Sequence, residues 1–175
     1  MALNAYLKLR GQKQGEIKSS VTQKGREGRI MVIAAHHGIV SPRDPATGLA
    51  TAKHTHHPFV ITKEVDRSSP VLYSALVNSE NIVDWELQFW RPGSTGASGA
   101  GVEKQYYTVK LTNARVADIS FTMPNNKHPD LARLAEYEDI AFVYQKIEWT
   151  WMDGGILAAD DWISVAERRR GLRHR

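Results

Sequence analysis

The sequence predicts a mainly β, antiparallel protein with one short helix, and three observations carry that prediction. Residues 84–89, 105–111 and 116–123 alternate apolar and polar with the period of two that a half-buried strand requires. One stretch, opening at Ser69-Pro70, instead sets Val71, Leu72, Ala75 and Leu76 on a single helical face. Within 140–151 the alternation slips: Ile140, Phe142 and Tyr144 share one side, Ile147, Trp149 and Trp151 the other. Such a slip needs a bulge or a passage from one sheet to another.

In chain order, Ala5 to Leu9 alternates as a strand and Gly11 to Gly15 turns it. Glu16 to Gly28 is polar and glycine-dotted, a loop with room for at most one short strand. Arg29 to Val40 holds the unbroken apolar run Ile30 to Ala34, which predicts a strand buried on both faces or one near an interface. Ser41 to His57, with Pro42, Asp44-Pro45, Thr47-Gly48 and Lys53-His54-Thr55-His56-His57, has no period and exceeds the usual loop length, which marks it as functional. An arm reaching a neighbouring subunit is the expected job.

Pro58 to Thr62 is β-branched and aromatic, a strand that turns at Lys63 to Asp66. The Ser69 hydroxyl is expected to cap free backbone donors, with Pro70 where a first helical residue needs no N–H. Trp85, Leu87 and Phe89 then define a buried face and Asp84, Glu86 and Gln88 a wet one. Gly93 to Gly101 reads as a flexible connector and lacks the lysine-serine ending of a phosphate cradle. The strands at 85–91, 105–111 and 116–123 are expected to form a meander, broken by Pro124-Asn125-Asn126, with one helical turn at Pro129 to Arg133. Asp153-Gly154-Gly155 is a turn, and Asp160-Asp161-Trp162 closes the ordered part, so residues 1–162 form one domain and 163–175 a disordered basic tail.

Composition narrows function. The 175 residues are 42% hydrophobic and 24% charged, ordinary values for one globular domain. No apolar run approaches the roughly 20 residues of a membrane helix, and the N-terminus lacks the apolar block of a secretory signal. The absence of cysteine removes disulfides, thiol catalysis and cysteine-ligated zinc. A pI of 9.4 suggests a polyanion, but Arg168, Arg169, Arg170, Arg173 and Arg175 crowd the tail, and the remaining 18 Lys+Arg face 19 Asp+Glu. Residues 1–30 carry seven basic against two acidic groups, and 130–162 eight acidic against two basic. Those regions either pair within one chain or lie at opposite ends and favour head-to-tail association.

The ordered set Tyr6-Leu7-Lys8-Leu9, His56-His57-Pro58-Phe59, Asp66 with Ser69-Pro70-Val71-Leu72-Tyr73, Ala75-Leu76, Phe89-Trp90-Arg91-Pro92, Tyr107-Thr108, Leu111-Thr112-Asn113-Ala114, Met123-Pro124, Ile147-Glu148-Trp149 and Asp160-Asp161-Trp162 resembles the hemolysin-coregulated protein family. These are the tube subunits of bacterial type VI secretion, and the resemblance spans roughly residues 3 to 162. It implies a two-sheet antiparallel β-barrel with one flanking helix, and six copies closing into rings that stack into a tube. It further implies cytoplasmic assembly followed by secretion, small effectors sheltered in the lumen, and spike and sheath proteins as partners. His57 departs from the lysine this family often has, and Ile163 to Arg175 runs past its usual end.

A closed ring needs two unlike, complementary patches, and stacking needs a second, axial contact. Asp44, Pro45, Thr47, Lys53, His54, His56, His57, Trp90 and Trp151 are the candidate ring or stacking contacts, aromatic residues being enriched at interface centres. Trp85 and Trp149 read as core. His54, His56 and His57 with Asp44 invite a metal reading, but one loop without a second histidine element favours solvent or interface histidines that make assembly pH-sensitive. Glu136 with Glu138 and Asp160 with Asp161 read as solvated pairs, and neither Ser69 nor Ser74 sits in a nucleophile elbow. No cofactor and no enzymatic turnover are expected. The competing readings are a binding module that uses the basic tail and a metallohydrolase that uses the histidine loop.

Overall fold

The computed structural model describes residues 3–93 and 102–161. The expected Gly93 to Gly101 connector lies mostly, and Trp162 with the basic tail wholly, outside them. Its strands are β1 (Ala5–Gly11), β2 (Gly15–Ile17), β3 (Ile30–Val32), β4 (Ala34–His36), β5 (Ile39–Val40), β6 (Thr55–His56), β7 (Phe59–Glu64), β8 (Ile82–Pro92), β9 (Glu103–Thr112), β10 (Arg115–Thr122), β11 (Tyr137–Val143), β12 (Lys146–Trp151) and β13 (Ile156–Asp161), with helix α1 (Ser69–Val77) between β7 and β8. The mainly β, two-sheet class with one helix is as the sequence predicts. All the pairings are antiparallel.

The larger sheet runs β13-β12-β9-β8-β1-β2, with β3 also on β1, and the smaller runs β10-β11-β7-β4. Register aligns the apolar residues in rows across each sheet. Leu7, Leu87, Val109 and Trp149 form one row of the larger sheet, and Leu9, Trp85, Leu111 and Ile147 the next. Ile61, Ile140 and Ile119 face them from the smaller sheet, beside Phe59, Phe142 and Val116. Because side chains alternate across a strand, each row falls on one face, and the two inner faces meet in a single core. Trp85 is its centre, edge-on to Phe59 at 5.0 Å and to Phe142 at 5.5 Å.

The chain changes sheet where the sequence pattern changes. The slip within 140–151 is a passage: β11 belongs to the smaller sheet and β12 to the larger, with Tyr144 and Gln145 at the corner. Two expectations need correction on the same principle. Arg29 to Val40 is not one doubly buried strand, because β3 pairs with β1 and β4 with β7, so Ile33 at the corner and Ala34 to His36 beyond it are exposed. Nor does the meander continue past β9. Asn113 takes a left-handed φ of 50°, β10 leaves for the smaller sheet, and β12 takes the place beside β9. On β10 only Val116 and Ile119 reach the core, on either side of a register shift, whereas Phe121 is 54% exposed and neighbouring Met123 58%. Gln88, expected on the wet face, is buried and hydrogen-bonded to Glu86. At 129–133 the chain makes one isolated turn, the His128 carbonyl accepting from Leu131 and Ala132. No alternation announces β13, which pairs with β12 beyond Gly154 and Gly155. Among the described residues, no ladder joins the two sheets into a closed barrel.

Ser69 does not cap the helix. Ser68 holds the cap position without a side-chain bond, and Ser69 is the first helical residue, its hydroxyl turned inward. There it meets Lys63, which is fully buried: Nζ donates to the Glu64 carbonyl at 2.8 Å and to Ser69 Oγ at 2.9 Å, and reaches Glu138 Oε2 and Asp66 Oδ1 at 3.1 Å each. Ser69 in turn donates to Glu138 and accepts from the Asp66 N–H. Burial by itself would raise the Asp66 pKa, but hydrogen bonds from Ser19 and Ser68 and the Lys63 charge outweigh it and lower it. An ammonium out of water needs this many partners.

Lys63→Met should therefore cost about 3–5 kcal/mol, because it strands a buried Glu138. The double variant Lys63→Met, Glu138→Leu should cost less than the single change. Urea unfolding of both variants checks this, and a double variant less stable than Lys63→Met contradicts it.

Candidate functional site

Ser41 to His57 is a hairpin arm rather than a structureless loop. β5 and β6 pair at its base, Arg43 bridges to Ala50, and Thr51 N–H bonds the Pro42 carbonyl. The tip is built on Asp44. Its Oδ1 accepts from Ala46 N–H at 2.9 Å, Thr47 N–H at 2.7 Å and Thr47 Oγ1 at 3.0 Å, the side-chain turn that aspartate favours. Those bonds, the Thr47 amide foremost, hold the Asp44 carboxyl below its usual range. Gly48 closes the turn at φ +70°, and Pro45, Thr47, Leu49 and Lys53 are exposed along the arm.

At the arm base the histidines part company. His57 is exposed, its ring beside Gly38, whereas His56 is buried. His56 Nε2 lies 2.6 Å from Asp160 Oδ2, and His54 Nε2 lies 2.6 Å from the same oxygen. The other His56 nitrogen, Nδ1, is 2.8 Å from the Tyr144 hydroxyl, which His37 Nε2 meets at 2.6 Å. The five groups form one chain from β4's end through the inter-sheet corner to β13. Burial, then the neighbouring His56, His36 and His57, lower the His37 pKa. Burial and the Asp160 charge raise that of Tyr144. At Asp160 burial pushes upward, but hydrogen bonds from His56 and His54 prevail and lower the pKa.

The carboxylate that meets the histidines is thus Asp160, not Asp44, which is committed to its own turn at the far end of the arm. Sequence separation hid the contact: His54 and Asp160 are 106 positions apart, and β13 was not legible. The donor atoms of His54, His56 and Asp160 all lie within 4.8 Å of one another. As a buried residue bonded on both ring nitrogens, His56 presents no surface to another subunit, unlike Asp44's neighbours Pro45 and Thr47. Of the acidic pairs, Glu138 is buried on Lys63 while Glu136 is exposed.

Trp90 is half-buried, and the Arg26 guanidinium lies between it and Tyr6, 4.5 Å and 4.7 Å from their rings. Trp151 is exposed, with Tyr106 edge-on at 5.8 Å and Arg91 4.9 Å from the Tyr106 ring. The motif residues Pro58, Phe59, Ser69, Pro70, Trp149 and Pro92 fall at strand and helix ends or in the core. The basic groups Lys8, Lys18 and Arg26 pair with Asp84, Glu16 and Glu103, not with the acidic 130–162 segment. What the sequence did not anticipate is apolar surface at strand edges: Ile156 at 68% and Leu157 at 59% exposure on β13, and Phe121 on β10. Ile33 lies between two shallow grooves, one lined by Leu3, Val32, Phe89 and Tyr106, the other by Thr62, Leu134 and Tyr137.

Two packed antiparallel sheets, one short helix and a projecting hairpin arm define the class, a two-sheet β protein with apolar strand edges. Residues 6–151 match the family model for the type VI secretion system effector Hcp, and the chain belongs to that family. It is 37% identical over 173 residues to the major exported protein of Pseudomonas aeruginosa, covering 94% of this chain and 98% of that protein. The fold is similar to Hcp1 of an enteroaggregative E. coli, with 33% identity, TM-score 0.77 and coverage of 92% and 99%. It is also similar to the secreted protein Hcp3 of P. aeruginosa, with 31% identity, TM-score 0.72 and coverage of 91% and 97%.

The tip of the arm should be pH-dependent. A carboxylate whose folded pKa is depressed orders its surroundings above its ordinary pKa and releases them as pH falls through the lowered value. Amide signals of Ala46 and Thr47 should therefore shift together, at a midpoint below the usual aspartate range. Asp44→Ala should abolish that titration while leaving core signals in place, and an unshifted midpoint would contradict the capping role.

Proposed function

We propose that this chain is the structural subunit of the type VI inner tube, six copies forming a ring and rings stacking head to tail through the arm. The single observation that carries the reading is a family match joined to unlike apolar surfaces on one subunit. The Ile33 corner sits between the sheets, and Trp151, Ile156 and Leu157 lie at the β13 edge. A lone soluble chain seldom leaves so much apolar edge in water, and two different patches suit a heterologous contact that closes.

Export belongs to the same reading. The tube is assembled in the cytoplasm and delivered to the medium or a target cell. Sheath and spike proteins act as its partners and effectors travel in the lumen. The work is assembly and passage, without turnover. Pro45, Thr47, Lys53 and His57 are the arm's contact residues, and Trp151 is the aromatic anchor of an edge contact.

Negative-stain imaging and light scattering of the purified protein at tens of micromolar test this. Six-membered rings, some stacked, are expected. Replacing residues 42–52 by a Gly-Ser linker, which spares Thr55–His56 and the arm base, should retain rings and abolish stacks. Lone particles only would overturn the tube reading, and intact stacks after the replacement would move the axial contact elsewhere.

A further inference from the structure

We propose that His54, His56 and Asp160 form a zinc site that clips the base of the arm to β13. The three donor atoms, His54 Nε2, His56 Nε2 and Asp160 Oδ2, come from two distant parts of the chain and converge within 4.8 Å. Two imidazoles and one carboxylate, with the fourth position left to water, are a donor set that zinc takes in tetrahedral geometry. With metal–ligand distances of about 2.0–2.1 Å, the ligand atoms of such an ion stand about 3.3 Å apart. Both histidine nitrogens now sit 2.6 Å from Asp160 Oδ2, so an outward movement of well under an ångström on each side admits the ion. His54 is half-exposed and provides the way in, while His56 and its strand are held from behind.

That rear support is what separates the cluster from a chance meeting of polar groups. A metal-bound imidazole needs its second nitrogen fixed, and His56 Nδ1 faces the Tyr144 hydroxyl at 2.8 Å. Tyr144 is itself held by His37 Nε2 at 2.6 Å, and the His37 ring stacks on Phe59 of the core at 5.2 Å. With no metal, protons satisfy the chain in one direction: His37 donates to Tyr144, Tyr144 to His56 Nδ1, and His54 and His56 to Asp160. Zinc on His56 Nε2 requires the proton on Nδ1. The His56 Nδ1–H then donates to Tyr144, and the tyrosine O–H turns to His37 Nε2. With the His37 proton moved from Nε2 to Nδ1, each bond between His56, Tyr144 and His37 is kept in both states.

The site holds whether or not the chain assembles, so its test is separate from that of the tube. Full-length protein stripped with EDTA and dialysed is titrated with zinc chloride by calorimetry, with thermal unfolding followed in parallel. One zinc per chain should bind, and zinc at about 100-fold above its Kd should raise Tm by about 5 °C or more. His54→Gln, on a half-exposed side chain whose loss spares the core, should weaken binding at least tenfold, the minimum that loss of even an outer partner costs. Tyr144→Phe should weaken it about tenfold by freeing His56, and His57→Gln should leave it unchanged. In the parent, zinc should move the His56 proton from Nε2 to Nδ1, read from its ring nitrogen shifts. Less than about 0.1 equivalent bound overturns the proposal. Equal affinity in His54→Gln also overturns it, since zinc would then sit on other histidines.

Discussion

Lys63 Nζ is the point on which the smaller sheet and the helix are both hung. It faces four acceptors with three protons, and they come from the end of its own strand, the turn after it, the first residue of α1 and the opposite strand β11. Register sets Lys63 directly across from Glu138, on the same inward face as Ile61 and Phe59. A slip of one residue would turn the whole apolar row outward and leave Thr62 and Glu64 facing the core. The buried ion pair therefore acts less as a source of stability than as a lock on register, because no neighbouring alignment satisfies both charges.

Once that register is fixed, the rest of the sandwich follows by alternation. Rows of Leu, Val, Ile and Trp align across four strands of the larger sheet, and the chain moves between the sheets at Ile33, Asn113 and Tyr144-Gln145. Each corner has a cost in surface. Ile33 is pushed outward where β3 hands over to β4, and β10 and β13 become edges with Phe121, Ile156 and Leu157 in water. Apolar edges of this kind suit the ring contact proposed above.

The arm is joined to this body by a different kind of contact. Its tip depends on Asp44 and local turn bonds, while its base is fixed by His54 and His56 against Asp160, with Tyr144 and His37 behind. Burial and the nearby negative charge keep the tyrosine protonated, so it remains a donor or an acceptor as its two histidine neighbours need. An exposed outer segment, ordered by its own turn bonds and set on a hydrogen-bonded root, suits the stacking contact proposed for the arm.

By itself the sequence determined what is local. The strands from β7 to β9, the helix behind Ser69-Pro70, the turn at Asp153 to Gly155 and the phase slip of 140–151 were all legible, because side-chain period and turn chemistry act over a few residues. That the slip is a passage between sheets and not a bulge was decided by the packing. The ordered motifs from Tyr6 to Trp149 carried the family in the same way. Tertiary structure decided what depends on distant partners. Ser69 became a ligand of Lys63 instead of a cap, since Glu138 lies on another strand. β10 left the meander at Asn113, and Asp160 rather than Asp44 met the histidines. No periodicity encodes a contact across 106 residues, because it arises only when two sheets have packed and brought their ends together.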